Sequence, residues 1–337
     1  MTFGPITVDS VIEGSAGKRT SLVLMRILLT GGAGFIGSHL AERILASGHE
    51  VWVVDNFDPH YDPKQKRTNI QKALLNKRYR LLKGDVRNQL LLEKIFKKTE
   101  LDAVIHLAAK AGVRSSLKEP GRYCDVNISG TVALLETCRN HRVEHFIFGS
   151  SSSVYGDSPI PYRENERLLN PMSPYGATKL AGEQICSLYH RLYGINITAL
   201  RFFTVYGPRQ RPDMAIHKFT GLIQTGKQIE VYGKGDSQRD YTYIDDIVNG
   251  IMASLKNCFG FEIINLGNSL RVKLLHLIRI LEDKLKRKAK LKFLPDEKSE
   301  PKITWADISK AKQLLSFSPK TPFEEGIDNF LDWYRNG

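Results

Sequence analysis

Cysteine is scarce in this chain: Cys124, Cys138, Cys186 and Cys258 are the only four in 337 residues, and no two share a close spacing. Such scattering argues against a disulfide framework and a zinc site, so no metal is expected, and it fits a reducing, cytoplasmic setting. Long apolar runs are missing too. Ser21–Leu29 is short and interrupted by Arg26, with neither the length of a membrane span nor the cleavage site of a signal peptide. There is no internal repeat, no low-complexity tract and no nucleic-acid motif. The formal charge of +13 is spread along the chain, with a denser patch at Lys284–Lys292 that reads as a solvated helix face running into a strand. Neither a nucleic-acid nor a membrane partner is expected. A diffuse positive field does favour small anionic ligands.

With 42% hydrophobic and 25% charged residues, the composition is that of an ordinary globular protein. Residues 1–25 read as a disordered extension, or as the product of a start site placed upstream of Met25. Strand and helix patterns then alternate. Strands are expected at Arg26–Thr30, Val51–Asp55, Tyr79–Lys83, Ala103–Leu107, His145–Gly149 and Ile197–Arg201. Helices are expected at Phe35–Ser47, Leu90–Lys98, Asp125–His141 and Tyr175–Leu192. Apolar strands alternating with helices imply a parallel sheet covered on both faces, a doubly wound α/β fold. Past Thr204 the rhythm breaks, and a smaller mixed α/β domain is expected over 204–337 after a first domain over 26–203. Phe261–Leu266 is the one later strand placed to return to the main sheet.

Gly31, Gly34 and Gly37 follow the first strand and open the first helix, with Phe35 and Ile36 between the last two. That spacing allows a tight turn, close approach of main chain to a pyrophosphate, and close helix packing. The second strand ends in Asp55, placed for the adenosine ribose hydroxyls, and Asn56 follows where an arginine would have served a 2′-phosphate. A Rossmann domain holding NAD is the expectation. Asp85 and Val86 follow a short strand near the adenine, and Leu107, Ala108, Ala109 and Lys110 end the fourth strand with room for the pyrophosphate and nicotinamide ribose. Asn127 fits a brace for the same region. His106, on an apolar strand, reads as a satisfied core residue.

Tyr175 and Lys179 stand four apart in Ser-Pro-Tyr-Gly-Ala-Thr-Lys, on one face of a helix. A phenol is a poor base at neutral pH, and a fixed cation beside it favours the phenolate.

Together with the glycine loop and Ser150–Gly156, this pair makes the chain resemble the extended short-chain dehydrogenase/reductase family, and within it the nucleotide-sugar 4-epimerases. The resemblance runs from about Arg26 to Trp333, through His106-Leu-Ala-Ala, Arg201-Phe-Phe-Thr-Val-Tyr-Gly-Pro, Arg239-Asp-Tyr-Thr-Tyr-Ile-Asp-Asp and Ala306-Asp-Ile-Ser-Lys-Ala. It implies that Tyr175 takes the proton of the sugar 4-hydroxyl while the C4 hydride passes to NAD, and that the 4-ketose turns over before hydride returns. It also implies that Ser151 bonds O4, that Lys179 holds the nicotinamide ribose and lowers the phenol pKa, and that Phe203 lies near the cofactor. A homodimer is implied, joined through helices near Leu117–His141 and Tyr175–Leu192.

By the same resemblance, 4,6-dehydratases carry an Asp-Glu pair after the catalytic hydroxyl residue, and the decarboxylases keep the Glu. Here the positions are Ser152 and Ser153. Neither hydroxyl replaces a carboxylate as base, so epimerisation is favoured. Thr204 and Arg211 resemble the pair near the C6 carboxylate in UDP-glucuronate 4-epimerases, and Arg114 and the Asp58–Tyr61 loop look like that subgroup. The Pro-Tyr-Gly of the catalytic motif looks more like UDP-glucose 4-epimerases, and Gln210 stands where the glucuronate enzymes usually have glycine. UDP-glucuronate is favoured, with UDP-glucose or its N-acetyl form as the alternative. Ser153 is placed beside the substrate, Arg239 as the diphosphate clamp, and Val231 and Tyr232 along the uracil. A non-catalytic NAD-binding module and a reductase releasing NADH are the competing classes, and the intact Ser151, Tyr175 and Lys179 count against the first.

Overall fold

The structure, a computed structural model, describes residues 24–336. The expected extension therefore lies outside the described residues, apart from Leu24 and Met25. Among the described residues there are twelve strands: β1 (Arg26–Thr30), β2 (Glu50–Asp55), β3 (Tyr79–Lys83), β4 (Ala103–His106), β5 (His145–Ser151), β6 (Asn196–Phe202), β7 (Thr204–Tyr206), β8 (Gln228–Tyr232), β9 (Gln238–Tyr243), β10 (Phe261–Leu266), β11 (Arg271–Lys273) and β12 (Lys290–Leu294). Seven form one all-parallel sheet in the order β3-β2-β1-β4-β5-β6-β10. The strand period of two sorts its side chains to opposite faces. Ile27, Leu29, Val53, Ile105 and Ile147 enter one apolar layer, and Leu28, Val54, Val104 and Phe146 the other.

The chain winds outward from β1 to β3, then crosses back to β4. The crevice at this reversal opens beyond the carboxyl ends of β1 and β4, where the two segments richest in small residues emerge. Beside the main sheet stand a three-stranded sheet, β11-β9-β7, and a parallel pair, β12-β8. Among the described residues no helix is long and apolar enough to cross a membrane.

Two helical segments depart from the sequence reading. A helix at Pro63–Leu74 fills the β2–β3 connection, started by Pro63 and by Asp62, whose carboxylate accepts the Lys64 N–H at 2.8 Å. The expected helix Asp125–His141 begins as a π-turn, Asp125–Ser129, before the α-helix Gly130–Asn140. There the Thr131 hydroxyl donates to the Asn127 carbonyl at 2.6 Å, competing with the regular ladder.

The helix Pro174–Tyr193 has Ser173 as its N-cap and left-handed Gly194 at its end. Its buried face includes Gly176, Lys179, Gly182, Glu183 and Cys186. A Cβ on Gly182 would come within 2.5 Å of the Phe148 ring, so the glycine sets how closely the helix lies on β5. One turn past Lys179, Glu183 receives a forked pair of bonds from Arg201 of β6, at 2.9 and 2.7 Å, with both side chains shut off from water. The Ser150 hydroxyl of β5 donates to the same carboxylate, and the Arg201 guanidinium lies 4.6 Å over the Tyr155 ring.

Removing one partner of a buried ion pair strands the other charge, at about 3–5 kcal/mol. Glu183→Gln should lower the unfolding free energy by roughly that much in urea titrations, with a double Glu183→Leu, Arg201→Met variant recovering part of the loss. A single-variant loss below about 1 kcal/mol would show that the pair does not hold helix to sheet.

Candidate active site

A cleft of about 410 Å³ lies at the crevice. Its floor is the glycine loop. Gly31 has φ +73°, and a Cβ there would sit 2.8 Å from the Ala108 nitrogen, while one on Gly37 would sit 2.2 Å from the Gly31 oxygen. Only glycine fits either place. Gly34, the helix N-cap, offers no side-chain acceptor, so the first amides of Phe35–Ala46 remain available to an anion. Asp55 is buried, lines the cleft, and accepts the main-chain N–H of Ala33 at 3.0 Å and of Phe57 at 2.8 Å, which shapes the loop. Asn56 donates to Asp85 at 2.9 Å. The Arg87 guanidinium beside Asp85 holds that carboxyl down to about 2. Phe35, Ile36, Val86, Leu107, Ala108, Ala109, Lys110 and Phe203 also line the cleft. A bare loop, exposed helix amides, an acid ending β2 and a small-residue wall fit an NAD-type dinucleotide.

Asn127 does not reach the cleft. Its side chain accepts the Lys110 N–H at 2.7 Å and donates to the Lys110 carbonyl and to Thr178, so it braces the wall from behind. His106 is satisfied on both ring nitrogens by Thr30 and Thr131, at 2.7 and 3.1 Å.

Ser151, Tyr175 and Lys179 converge on the cleft. The Lys179 ammonium donates to the Gly149 carbonyl at 2.6 Å, and burial lowers its pKa to about 8. Burial pushes the Tyr175 phenol above its ordinary range, and only the Ser151 hydroxyl and the Arg211 charge pull it back. The Lys179 ammonium itself is turned to the β5 carbonyl. The Tyr123 ring stands edge-on to Tyr175 at 6.3 Å. Ser151 accepts the Ser153 N–H at 3.1 Å, which leaves the serine's own proton free to donate.

At the other end of the cleft are Ser153, Thr204, Met214 and Arg211. Arg211 directs Nε and Nη2 at Asp213, at 2.9 and 2.8 Å, leaving Nη1 unspent. Asp213 also faces His60 at 3.4 Å. Four expected substrate contacts lie outside this cleft. The Arg114 guanidinium stacks on Tyr232 at 4.3 Å and faces Glu300 at 3.6 Å. Arg239 is bound to Glu300 at 2.8 Å, so its guanidinium is occupied rather than an open clamp. Val231 is fully buried in the core, so its side chain cannot line a base. Asp58, His60, Tyr61 and Lys66 do line the cleft; the Asp58–Tyr61 loop is one the sequence marks as a subgroup likeness, and Lys66 is one it does not single out. The Asp62-Pro63 helix start was the signal that would have placed Lys66.

A family model described as GDP-mannose 4,6 dehydratase matches residues 28–330. A UDP-glucuronate 4-epimerase of Thermodesulfobacterium geofontis is 43% identical over 307 residues, covering 91% of this chain and 95% of that protein. A crystal structure of UDP-glucuronic acid 4-epimerase from Bacillus cereus, in complex with UDP-glucuronic acid and NAD, has a TM-score of 0.88 and 41% identity over 93% of this chain and 99% of that one. The UDP-glucose 4-epimerase of Thermotoga maritima with UDP-glucose follows the fold with a TM-score of 0.85 at 32% identity, covering 93% of this chain and 99% of its own.

The buried lysine yields a titration test. With the Lys179 pKa lowered to about 8, the unfolded chain binds the extra proton between that value and the ordinary lysine range, so this residue's contribution favours folding more as pH rises through that window. Nitrogen-detected NMR of the Lys179 ammonium should show a midpoint near 8 in nucleotide-free protein. A midpoint in the ordinary range, about 10.4, would refute the buried arrangement.

Proposed function

Because the chain belongs to the extended short-chain dehydrogenase/reductase family, among its nucleotide-sugar 4-epimerases, we propose that it is an NAD-dependent UDP-sugar 4-epimerase acting first on the UDP-glucuronate/UDP-galacturonate pair. The observation that carries this reading is the convergence of Ser151, Tyr175 and Lys179 on one cleft in which the next two positions, Ser152 and Ser153, bring hydroxyls and no carboxylate. Bound NAD supplies a hydride acceptor that also returns the hydride.

Everything else falls to the protein's own groups. Tyr175 takes the proton from the sugar 4-hydroxyl and later gives one back, and Ser151 donates to the same oxygen. Lys179, fixed on the Gly149 carbonyl, presents its remaining hydrogens to the nicotinamide ribose and lends positive charge as the phenolate forms. Burial of Tyr175 raises the phenol pKa, a demand that nearby positive charge must offset so that the phenolate is the form that takes the 4-hydroxyl proton. The dehydratase and decarboxylase likenesses carry a carboxylate after the catalytic hydroxyl residue, and Ser152 and Ser153 bring none here, which favours return of the hydride over elimination or loss of CO₂.

Arg211 is assigned to the C6 carboxylate. Asp213 fixes its orientation and leaves Nη1 for the ligand. Thr204 lines the same cleft. The uridine end falls to residues 204–337 with Arg114: Tyr232 stacks, and Arg239 takes the diphosphate once Glu300 releases it. Pro-Tyr-Gly after Ser173, and the likeness to the Thermotoga enzyme, support UDP-glucose or its N-acetyl form as the second reading. Free cysteines at Cys124, Cys138, Cys186 and Cys258 support a cytoplasmic setting. Exposed Leu117, Leu188, Leu192 and Tyr193 on neighbouring helices support a homodimer.

The test is incubation with UDP-glucuronate, UDP-glucose and UDP-N-acetylglucosamine separately, with products resolved by NMR. Conversion of UDP-glucuronate to UDP-galacturonate without added cofactor is expected. Release of CO₂ with a UDP-pentose refutes epimerisation, and turnover of UDP-glucose alone transfers the assignment to the second reading. Tyr175→Phe should lose at least about 100-fold in kcat while retaining NAD, the scale of a lost acid–base catalyst. Arg211→Leu should raise KM for UDP-glucuronate about 10- to 100-fold, as for a lost charged hydrogen bond, and leave UDP-glucose nearly unaffected.

A further inference from the structure

Lys66 is a cation of the cleft that the proposed reaction does not use. It is only 8% exposed, it lines the cavity, and among the described residues its ammonium makes neither an ion pair nor a hydrogen bond. Its nearest recorded partner is the face of the Tyr61 ring, 4.9 Å from the ammonium. The Tyr61 hydroxyl is itself buried without a hydrogen-bond partner. A buried hydroxyl without an acceptor is costly unless a ligand satisfies it, and Lys66, which lines the same cleft, sets an unpaired cation beside it.

The neighbouring carboxylates are already engaged. Asp55 accepts the Ala33 and Phe57 amides, and Asp58 is held by Lys110 at 3.3 Å and Arg122 at 3.0 Å. Position along the helix then indicates which acceptor is missing. Lys66, Asn69, Ile70 and Ala73 form the buried face of Pro63–Leu74, at the three-and-four spacing of one helix face. Asn69, one turn on, donates to the Ala33 carbonyl at 3.3 Å, which fixes that face against the glycine loop. Lys66 therefore stands beside the segment that cradles a pyrophosphate.

We propose that Lys66, assisted by the Tyr61 hydroxyl, binds the diphosphate of the dinucleotide from the side of the cleft that the glycine-loop amides do not cover, and so holds the cofactor through the reaction cycle. This rests on reading the cleft as a dinucleotide site. The side chains are positioning residues, since neither reaches the reacting carbon in this scheme. Burial lowers the Lys66 pKa while Asp55 and Asp58 raise it, and a bound diphosphate would favour the charged form further.

Titration calorimetry on the full chain stripped of nucleotide, with NAD, ADP-ribose and adenosine as probes, separates the possibilities. Lys66→Met should weaken NAD and ADP-ribose by roughly 10- to 100-fold, the scale of a hydrogen bond to a charged group, and leave adenosine unchanged. Lys66→Arg should stay within about threefold, because the charge is kept. Lys66→Gln should behave like Lys66→Met and gives the same reading where the apolar side chain is not tolerated. Tyr61→Phe should weaken ADP-ribose by about 3- to 10-fold, as for a neutral hydrogen bond. Unaltered ADP-ribose affinity in the uncharged variants, or a parallel loss for adenosine, overturns the proposal. Parental protein that binds ADP-ribose tightly but converts no UDP-sugar would remove the epimerase reading and leave this one standing.

Discussion

The buried pair between Glu183 and Arg201 is the constraint on which the rest of the site depends. It joins the helix that carries Tyr175 and Lys179 to β6, and through Ser150 to the strand that ends in Ser151. The catalytic hydroxyls come from different elements, and a shift of one by an ångström would separate them. An apolar contact would allow the helix to slide, whereas a forked ion pair is directional. Gly182 adds closeness, and the guanidinium stacked on Tyr155 fixes the loop that follows Ser151. Position is held by charge, and distance by the absence of a side chain.

Catalytic chemistry sits in the same low-dielectric setting. Burial raises the pKa of the phenol and lowers that of the ammonium, so at neutral pH the resting pair is a neutral tyrosine beside a lysine close to losing its charge. Substrate and cofactor would reverse this by adding negative charge at the cleft. The cations around it, Arg211, Lys110 and Lys66, await that charge with unequal partners: Asp213 for the first, Asp58 for the second and none within reach for the third.

The main sheet was readable because parallel strands are continuous apolar runs: β1, β3 and β10 have the expected bounds, and β2, β4, β5 and β6 differ by one or two residues at an end. The glycine loop was readable because each glycine answers a local steric need. What escaped depended on contacts far apart in sequence. The helix Pro63–Leu74 is mostly polar, and its buried face begins with a lysine, which no hydrophobic period reports. The pairing of Arg239 with Glu300, across 61 residues, could not be seen from either motif. The direction of the Lys179 ammonium was equally hidden, since spacing puts two side chains on one helix face without saying which acceptor each will find.

The place of β10 has a consequence for how the molecule can move. After β6 the chain leaves the main sheet for β7 to β9, returns through the helix Ile244–Leu255 to form the edge strand β10, and leaves again for β11. The two regions flanking the cleft are thus sewn together by three successive stitches instead of one linker. A wide swing about a single joint would have to bend all three connections at once. Exchange of a ligand as long as a UDP-sugar is then a matter for side chains and loops, such as the Glu300 carboxylate that holds Arg239, while the frame around the reacting carbon stays still.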